Sequence, residues 1–175
     1  RYSEAVALLK ETEFYPHNLG EGKLSNAEEN EVDYYKGIAY QKLGNDAEST
    51  KYLMKATQGS TEPQQAFYYN DQQPDKIFYQ GLAWRALGEE NKARSRFNKL
   101  IDHGKKHLFD DCKIDYFAVS LPELAIWEDN LNIRNQIHCY YVMALGYSGL
   151  GKEELAEEYY EKVKRLDVNK QVFRM

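Results

Sequence analysis

The chain has 175 residues and a formal net charge of −5, with 42% hydrophobic and 29% charged residues. These values are typical of a folded domain and exclude a disordered chain. A net negative charge without a dense run of Lys and Arg excludes a nucleic-acid-binding protein, and no stretch approaches the roughly 18 apolar residues of a membrane span.

The first predicted helix covers about residues 2–13. Its Ala5 and Leu9 match the second half of a two-helix unit, so residues 1–13 are expected to form a half repeat whose first helix is missing. One apolar flank of this helix should then be exposed to solvent or covered by another copy of the chain. An insertion is predicted at residues 13–29.

Three later segments, at about residues 30–57, 74–101 and 137–164, share one spacing of residue types. Each has a small residue, an aromatic at offset 3, Leu-Gly at offsets 6 and 7, a small residue at offset 12 and apolar residues at offsets 16 and 19. The three sets are Gly37, Tyr40, Leu43, Gly44, Ser49, Leu53 and Ala56; Gly81, Trp84, Leu87, Gly88, Ala93, Phe97 and Leu100; Ala144, Tyr147, Leu150, Gly151, Ala156, Tyr160 and Val163.

This spacing predicts helix–turn–helix hairpins. The first small residue permits close approach of the second helix, so Gly81 is expected at a contact between two helices of one hairpin. Leu-Gly ends the first helix, because Gly accepts the left-handed conformation of a helix C-terminus. Each hairpin has an apolar face that it buries by stacking on its neighbours.

The connections between hairpins are long. Gly44 and Gly88 are 44 residues apart and Gly88 and Gly151 are 63 apart, whereas a regular repeat of this kind has about 34 residues. Insertions are therefore predicted at residues 57–73 and 101–136. The last is rich in apolar residues and is expected to be packed, with a short helix starting near Pro122. Such insertions often collect on a binding face.

The pattern resembles the tetratricopeptide repeat family. The resemblance implies an all-α single domain over residues 1–175, built as a right-handed α–α superhelix of stacked hairpins, and a scaffold that binds proteins without catalysing a reaction. The insertions are also similar, at residues 15–24, 69–74 and 114–122, to the C-terminal repeat region of large Bacteroidetes-type bacterial proteins. The N-terminal part of those proteins is similar to carbohydrate-active proteins.

In tetratricopeptide arrays the first helices of the hairpins line a concave groove. The resemblance places an aromatic and an aliphatic side chain from each hairpin in this groove, with polar side chains at its rim. The expected partner is a protein or peptide, such as an upstream domain of the same polypeptide, and a glycan is the alternative. Alternatively, one of the insertions folds back and fills the groove, and the sequence is equally compatible with an open and a filled groove. The predicted groove residues are Tyr34, Ile38, Gln41, Lys42, Phe78, Leu82, Arg85, His138, Tyr141, Leu145 and Ser148.

Other residue patterns are better explained by structure than by chemistry. His103 and His107 have a spacing that suits a metal, but Gly104 and two lysines between them favour a fraying helix end. Glu123 and Glu128 flank Trp127, yet a glycosidase needs two carboxylates facing each other across a cleft. Two cysteines lack metal-ligand spacing, and the one at position 139 is expected to be buried. No catalytic residue, metal or cofactor is predicted.

Overall fold

The structure is a computed structural model that describes residues 1–16, 18, 20, 22–23, 27–66, 71–113 and 130–168. Over these residues it contains helices and no β-strand, which confirms the all-α prediction for the described part of the chain. No helix there has the length and apolar character needed to cross a membrane. The helices are α1 (Tyr2–Glu11), α2 (Asn30–Lys42), α3 (Asp46–Ala56), α4 (Pro74–Ala86), α5 (Glu90–His107), α6 (Leu131–Gly149) and α7 (Glu153–Leu166).

The chain divides into two compact units. Unit 1 comprises Arg1–Glu62 and Asp75–Phe97, and unit 2 comprises Pro63–Pro74 and Asn98–Met175. The boundary between the units therefore falls within α5, after Phe97.

The Leu-Gly pairs end helices as predicted. Gly44, Gly88 and Gly151 have φ angles of +73°, +81° and +70°, in the left-handed region that favours glycine. The residue after each glycine donates its backbone N–H to the carbonyl of the aromatic residue five positions earlier, which is the Schellman arrangement. These bonds join Asn45 to Tyr40 (3.0 Å), Glu89 to Trp84 (2.9 Å) and Lys152 to Tyr147 (2.9 Å).

Two glycines in unit 1 allow helices to pack closely. A Cβ atom placed on Gly37 of α2 would lie 2.6 Å from Cγ of Leu53 on α3. A Cβ atom on Gly81 of α4 would overlap the ring of Phe97 on α5. Both contacts join the two helices of one hairpin, so the predicted role of Gly81 is confirmed.

Charged groups are also buried in unit 1. The Lys36 side chain has no exposed surface, and its ammonium group is paired with the carboxylate of Glu13. Asp33 is buried too and lies 3.1 Å from Nζ of Lys55. An unpaired buried charge is strongly destabilising, so Lys36 needs the carboxylate of Glu13. This ion pair therefore holds the segment after α1 against α2.

Two buried amide side chains bind backbone carbonyl groups at the end of α3 and in the segment after it, where the carbonyls have no partner within a helix. In unit 1, Asn30 Nδ2 donates to the carbonyls of Ala56 (2.8 Å) and Gln58 (2.9 Å). Gln80 Nε2 donates to the carbonyls of Gln58 (2.9 Å) and Ser60 (3.0 Å). The segment that follows α3 is therefore held from both α2 and α4.

Unit 2 is built on a nearly encased helix. Every residue of α6 from Tyr141 to Tyr147 is buried, as expected for a helix covered on all sides. The amphipathic helix α7 buries one stripe, formed by Ala156, Tyr160 and Val163. Cys139 is fully buried, which confirms its predicted structural role.

The end of α5 differs from the sequence prediction. The helix does not fray at Gly104 but continues to His107. Gly104 is buried there, and a Cβ atom on it would lie 2.6 Å from the carbonyl oxygen of Cys139 on α6. The Nδ2 of Asn135, also on α6, donates to the His107 carbonyl at 2.6 Å. These contacts with α6 outweigh the low helix propensity of glycine.

Helix α1 ends at Glu11, two residues earlier than predicted. Val6 is buried, whereas Leu8 and Tyr2 are 64% and 49% exposed. Ala5 and Leu9, which were predicted to form this flank, are half-buried, so its exposed part is at the neighbouring Leu8. The short helix expected near Pro122 and most of the third insertion lie outside the described residues.

Candidate functional site

An aromatic cluster lies on the neighbouring first helices of unit 1. Tyr34 and Tyr35 extend from α2, and Tyr79 extends from α4. Their ring centroids are 5.3 Å (Tyr34 to Tyr35), 5.7 Å (Tyr34 to Tyr79) and 5.6 Å (Tyr35 to Tyr79) apart. These spacings are typical of favourable tilted and edge-on ring contacts. We call these three residues the tyrosine triad.

Polar contacts fix the triad across the two helices. The hydroxyls of Tyr35 and Tyr79 share a hydrogen bond of 3.2 Å. Lys76 on α4 forms an ion pair with Glu31 on α2, with Nζ to Oε2 at 2.6 Å. Burial and the contact with Tyr35 raise the pKa of Tyr79 above its ordinary value, so its hydroxyl stays protonated. The triad is a neutral aromatic cluster in which Tyr79 is buried, Tyr34 is half-buried and Tyr35 is 42% exposed.

The predicted groove residues of unit 1 differ in their exposure. Phe78 and Leu82 are only 3% and 8% exposed, so these two residues are buried and offer little surface to a partner. Tyr34 and Ile38 are half-buried and pack against the core formed by Leu53, Ala56 and Ala83.

The three polar groove residues of unit 1, Gln41, Lys42 and Arg85, are exposed. Arg85 lies at the end of α4, where its guanidinium binds both carboxylate oxygens of Glu90 at 3.0 and 3.1 Å. The guanidinium carbon also lies 5.0 Å from the centre of the Phe97 ring. The ion pair with Glu90 thus holds the Arg85 cation beside the Phe97 ring.

The predicted groove residues of unit 2 all lie on α6. Tyr141 and Leu145 are buried, and the Tyr141 ring centroid lies 6.5 Å from that of Tyr160 on α7. Ser148 and His138 are half-buried. The Nε2 of His138 donates a 2.7 Å hydrogen bond to the carbonyl of Gln64, a residue of the second predicted insertion. Gln64 of the second predicted insertion therefore contacts the predicted groove surface at His138.

Sequence reasoning missed two members of the triad, Tyr35 and Tyr79. A signal for them exists, because the aromatic pairs Tyr34-Tyr35 and Phe78-Tyr79 recur 44 residues apart. The pattern of the resembled family drew attention to the first member of each pair only. The structure shows that the second members join α2 to α4.

The surface of α2 and α4 presents side chains that can contact a partner. It offers tyrosine rings and hydroxyls, an amide from Gln41 and the cations of Lys42 and Arg85. Of these side chains, tyrosine and arginine are enriched where proteins contact one another.

Comparison with known proteins agrees with the repeat pattern. No solved structure matches the chain. Repeats of the tetratricopeptide type generally mediate protein–protein interaction and are generally non-catalytic. Residues 137–169, which include most of α6 and all of α7, match the family model described as Tetratricopeptide repeat, so this segment is similar to repeats of that family.

Proposed function

We propose that the chain is a non-catalytic scaffold that binds a protein or peptide partner. In this proposal the hairpins form a right-handed α–α superhelix over residues 1–175. The insertions at 13–29, 57–73 and 101–136 are the parts that distinguish this chain from a regular array. The partner is a separate protein or a neighbouring domain of the same polypeptide.

The tyrosine triad is the observation that carries the proposal. Tyrosine and arginine are enriched at the energetic centres of protein interfaces. Tyrosine adds much contact area and loses little side-chain entropy, because it has only two rotatable side-chain bonds. The triad is held in place by its hydrogen bond and by the Glu31–Lys76 ion pair. A preorganised surface of this kind loses little conformational entropy when a partner binds.

The charges around the triad indicate what the partner presents. Lys42 and Arg85 lie at the C-terminal ends of α2 and α4, and neither is buried. We propose that the partner places an apolar or aromatic side chain on Tyr34, Tyr35 and Ile38. A carboxylate near that side chain would meet Lys42.

The test is selection of binders from a library of random linear peptides displayed on phage, with the purified chain as target. The Tyr35→Ala and Lys42→Glu variants are expected to lose at least about tenfold in affinity for the selected peptides, as interface centres do. The matched control is Leu155→Ala, which removes an exposed apolar side chain from α7. Peptides that bind all variants equally would overturn the proposed surface.

A glycan is the second candidate partner, because the partly exposed ring of Tyr35 can stack on a sugar. The same variants are therefore tested against a glycan panel. Retention of glycans that depends on Tyr35, without peptide binding, would replace the scaffold proposal by a carbohydrate-associated role in a larger bacterial glycan-processing protein.

A further inference from the structure

The helices α1, α3, α5 and α7 share one register, in which a small residue occupies the same place. These small residues are Ala5, Ser49, Ala93 and Ala156. The last three are buried, whereas Ala5 is only half-buried. One side of α1 is therefore less covered than the same side of the other three helices.

In the complete hairpins, the first helix covers this side of the second helix. Four residues after the small residue, Leu53 of α3 packs against α2, where a Cβ atom on Gly37 would lie 2.6 Å from its Cγ. Three residues after the small residue, Tyr52 of α3 stacks on Tyr40 of α2, with ring centroids 5.6 Å apart. Tyr159 of α7 stacks on a tyrosine of α6 in the same way, at 5.5 Å.

The equivalent residues of α1 are Leu8 and Leu9. Leu8 is 64% exposed, and Leu9 is half-buried. Burial of this apolar surface against another helix would be favourable. In the described part of the chain, α2, α4 and α6 already pack against α3, α5 and α7. A second copy with this fold therefore has no free helix of the same type to offer, and the covering helix is expected to come from another protein.

A residue six positions after the small residue also contacts the first helix. In unit 1, Lys55 of α3 pairs with Asp33 of α2 at 3.1 Å. In unit 2, Nζ of Lys162 on α7 lies 5.6 Å from the ring centre of Tyr140 on α6. Asp33 and Tyr140 both lie four positions before the small residue of their own helix. The charge at this place on the second helix therefore indicates which residue suits the covering helix.

In α1 the equivalent residue is Glu11, so the charge at this place is reversed. Glu11 is exposed and has no ion pair among the described residues. It lies in the last turn of α1, where the helix dipole disfavours a carboxylate. A Lys or Arg of the covering helix, four positions before its small residue, would contact Glu11 as Asp33 contacts Lys55. An acidic residue at that position would be repelled.

We propose that α1 binds an amphipathic helix of a partner protein on the side formed by Leu8, Leu9 and Glu11. The partner helix places Gly or Ala on Leu9 and an aromatic residue, three positions later, on Leu8. It carries Lys or Arg four positions before its Gly or Ala. This surface is separate from the tyrosine triad and does not depend on the function proposed for the triad.

The test uses labelled synthetic peptides and the intact chain, with binding followed by fluorescence anisotropy. One peptide has the sequence of residues 30–44, which contains α2, and the basic peptide is the same sequence with Asp33→Lys. The basic peptide is expected to bind about threefold more tightly, as one exposed ion pair allows. With the Glu11→Lys chain the order of the two peptides should reverse. An order that is the same for both chains would overturn the proposal.

Matched variants define the contact surface. Leu8→Glu should lower the affinity for the basic peptide at least about tenfold, because it places a charge in an apolar contact. Ala7→Glu adds the same charge one residue earlier, at a register that is exposed in all four helices, and should change the affinity less than about twofold. A basic peptide with Gly37→Leu is more apolar but should bind at least about tenfold more weakly, since its side chain would overlap Leu9.

A fusion gives a second readout, because short isolated helices are only partly formed in water. Placing the basic peptide directly before Arg1 reproduces the spacing between Gly44 and α3. This fusion should raise the melting temperature by at least about 3 °C, and the same fusion with Gly37→Leu should not. Tyr35→Ala should leave both readouts unchanged, because Tyr35 belongs to the triad.

The proposal is overturned if the basic peptide neither binds the chain nor stabilises it in the fusion. It is also overturned if Leu8→Glu and Ala7→Glu bind the basic peptide equally well. Sedimentation of the chain alone tests a different occupant. A dimer that dissociates in the Leu8→Glu variant would assign this side of α1 to a second copy and would overturn the proposal of a partner helix.

Discussion

The side-chain amide of Asn135 donates a 2.6 Å hydrogen bond to the backbone carbonyl of His107, so α6 binds the last turn of α5. Asn135 is completely buried. The same carbonyl also accepts a 3.2 Å hydrogen bond from the backbone N–H of Asp110, but the Asn135 amide, buried inside the protein, would have no other partner for this N–H if the bond were lost. This bond should therefore contribute measurably to the stability of unit 2.

The Asn135→Leu variant removes the donor and keeps the size of the side chain. We expect the free energy of unfolding to fall by about 1–3 kcal/mol, measured by urea denaturation followed by circular dichroism. Asn98→Leu, at an exposed position of α5, is the control and should change stability by less than about 0.5 kcal/mol. Equal effects of the two variants would contradict the assigned role of Asn135.

Gly81 tests the close contact between α4 and α5. Gly81→Leu is expected to destabilise the protein by about 1–3 kcal/mol, because even its Cβ atom would overlap the Phe97 ring. Gly22→Ala is the control, since a Cβ atom there would have no atom within 4 Å. In a double-mutant cycle, Phe97→Leu should relieve part of the cost of Gly81→Ala. An unchanged melting temperature for Gly81→Leu would contradict the hairpin alignment.

The pairing of Glu13 with Lys36 predicts a dependence of stability on pH. The hydrogen bond from Lys36 holds the pKa of Glu13 below its ordinary value of 4.5. A carboxyl group with a depressed folded pKa stabilises the protein above its unfolded pKa, and the contribution is lost as pH falls through the folded pKa. Glu13→Gln should therefore be less stable than the parent at pH 7, with a smaller difference near pH 3.

At pH 7 we expect Glu13→Gln to cost about 1–2 kcal/mol. This is less than for a fully buried pair, because 33% of the Glu13 side chain is exposed. Urea midpoints across the pH range measure the difference, and Glu11→Gln at the exposed end of α1 is the control. A difference that stays constant down to pH 3 would show that the charge of Glu13 is not the cause.

The His103 ring predicts a second pH range in which the stability of the protein changes. Its folded pKa of about 4 lies below the ordinary value of 6.5, owing to burial and then to His107 and Lys106, with Asp110 acting in the opposite direction. The unfolded chain therefore takes up the proton first as the solution is acidified. Stability from this group is complete above pH 6.5 and is lost as pH falls towards 4.

The stability of His103→Gln should fall less between pH 6.5 and pH 4 than that of the parent chain. The ring protons of His103 should titrate with a midpoint near 4 in NMR spectra. A midpoint near 6.5 would contradict the burial of this ring against α6.

Local patterns predicted the hairpins well. The Leu-Gly helix ends and the Gly81 contact depend on a few neighbouring residues, and these residue types recur at a fixed spacing. The stacked pairs Tyr40–Tyr52 and Tyr147–Tyr159 share a spacing of twelve residues, and this regularity was available in the sequence but not used.

Contacts between distant segments could not be predicted in the same way. Gly104 indicates a helix end when only its neighbours are considered, yet contact with Cys139 keeps it helical. His138 was assigned to the groove because of its repeat position, whereas its proximity to His103 depends on how α6 lies against α5. Local sequence patterns do not reveal how two distant helices pack against each other.

The two amides that bind the segment after α3 determine where this chain can be lengthened. Asn30 and Gln80 hold the carbonyls of Ala56, Gln58 and Ser60, and Gly59, between the last two, has a φ of +101°. These residues therefore belong to the packed hairpins and cannot move apart, although the repeat pattern assigns residues 57–60 to an insertion. Within this connection, a grafted epitope or a flexible linker is expected to be tolerated better beyond Ser60, where the polypeptide is no longer held by these bonds.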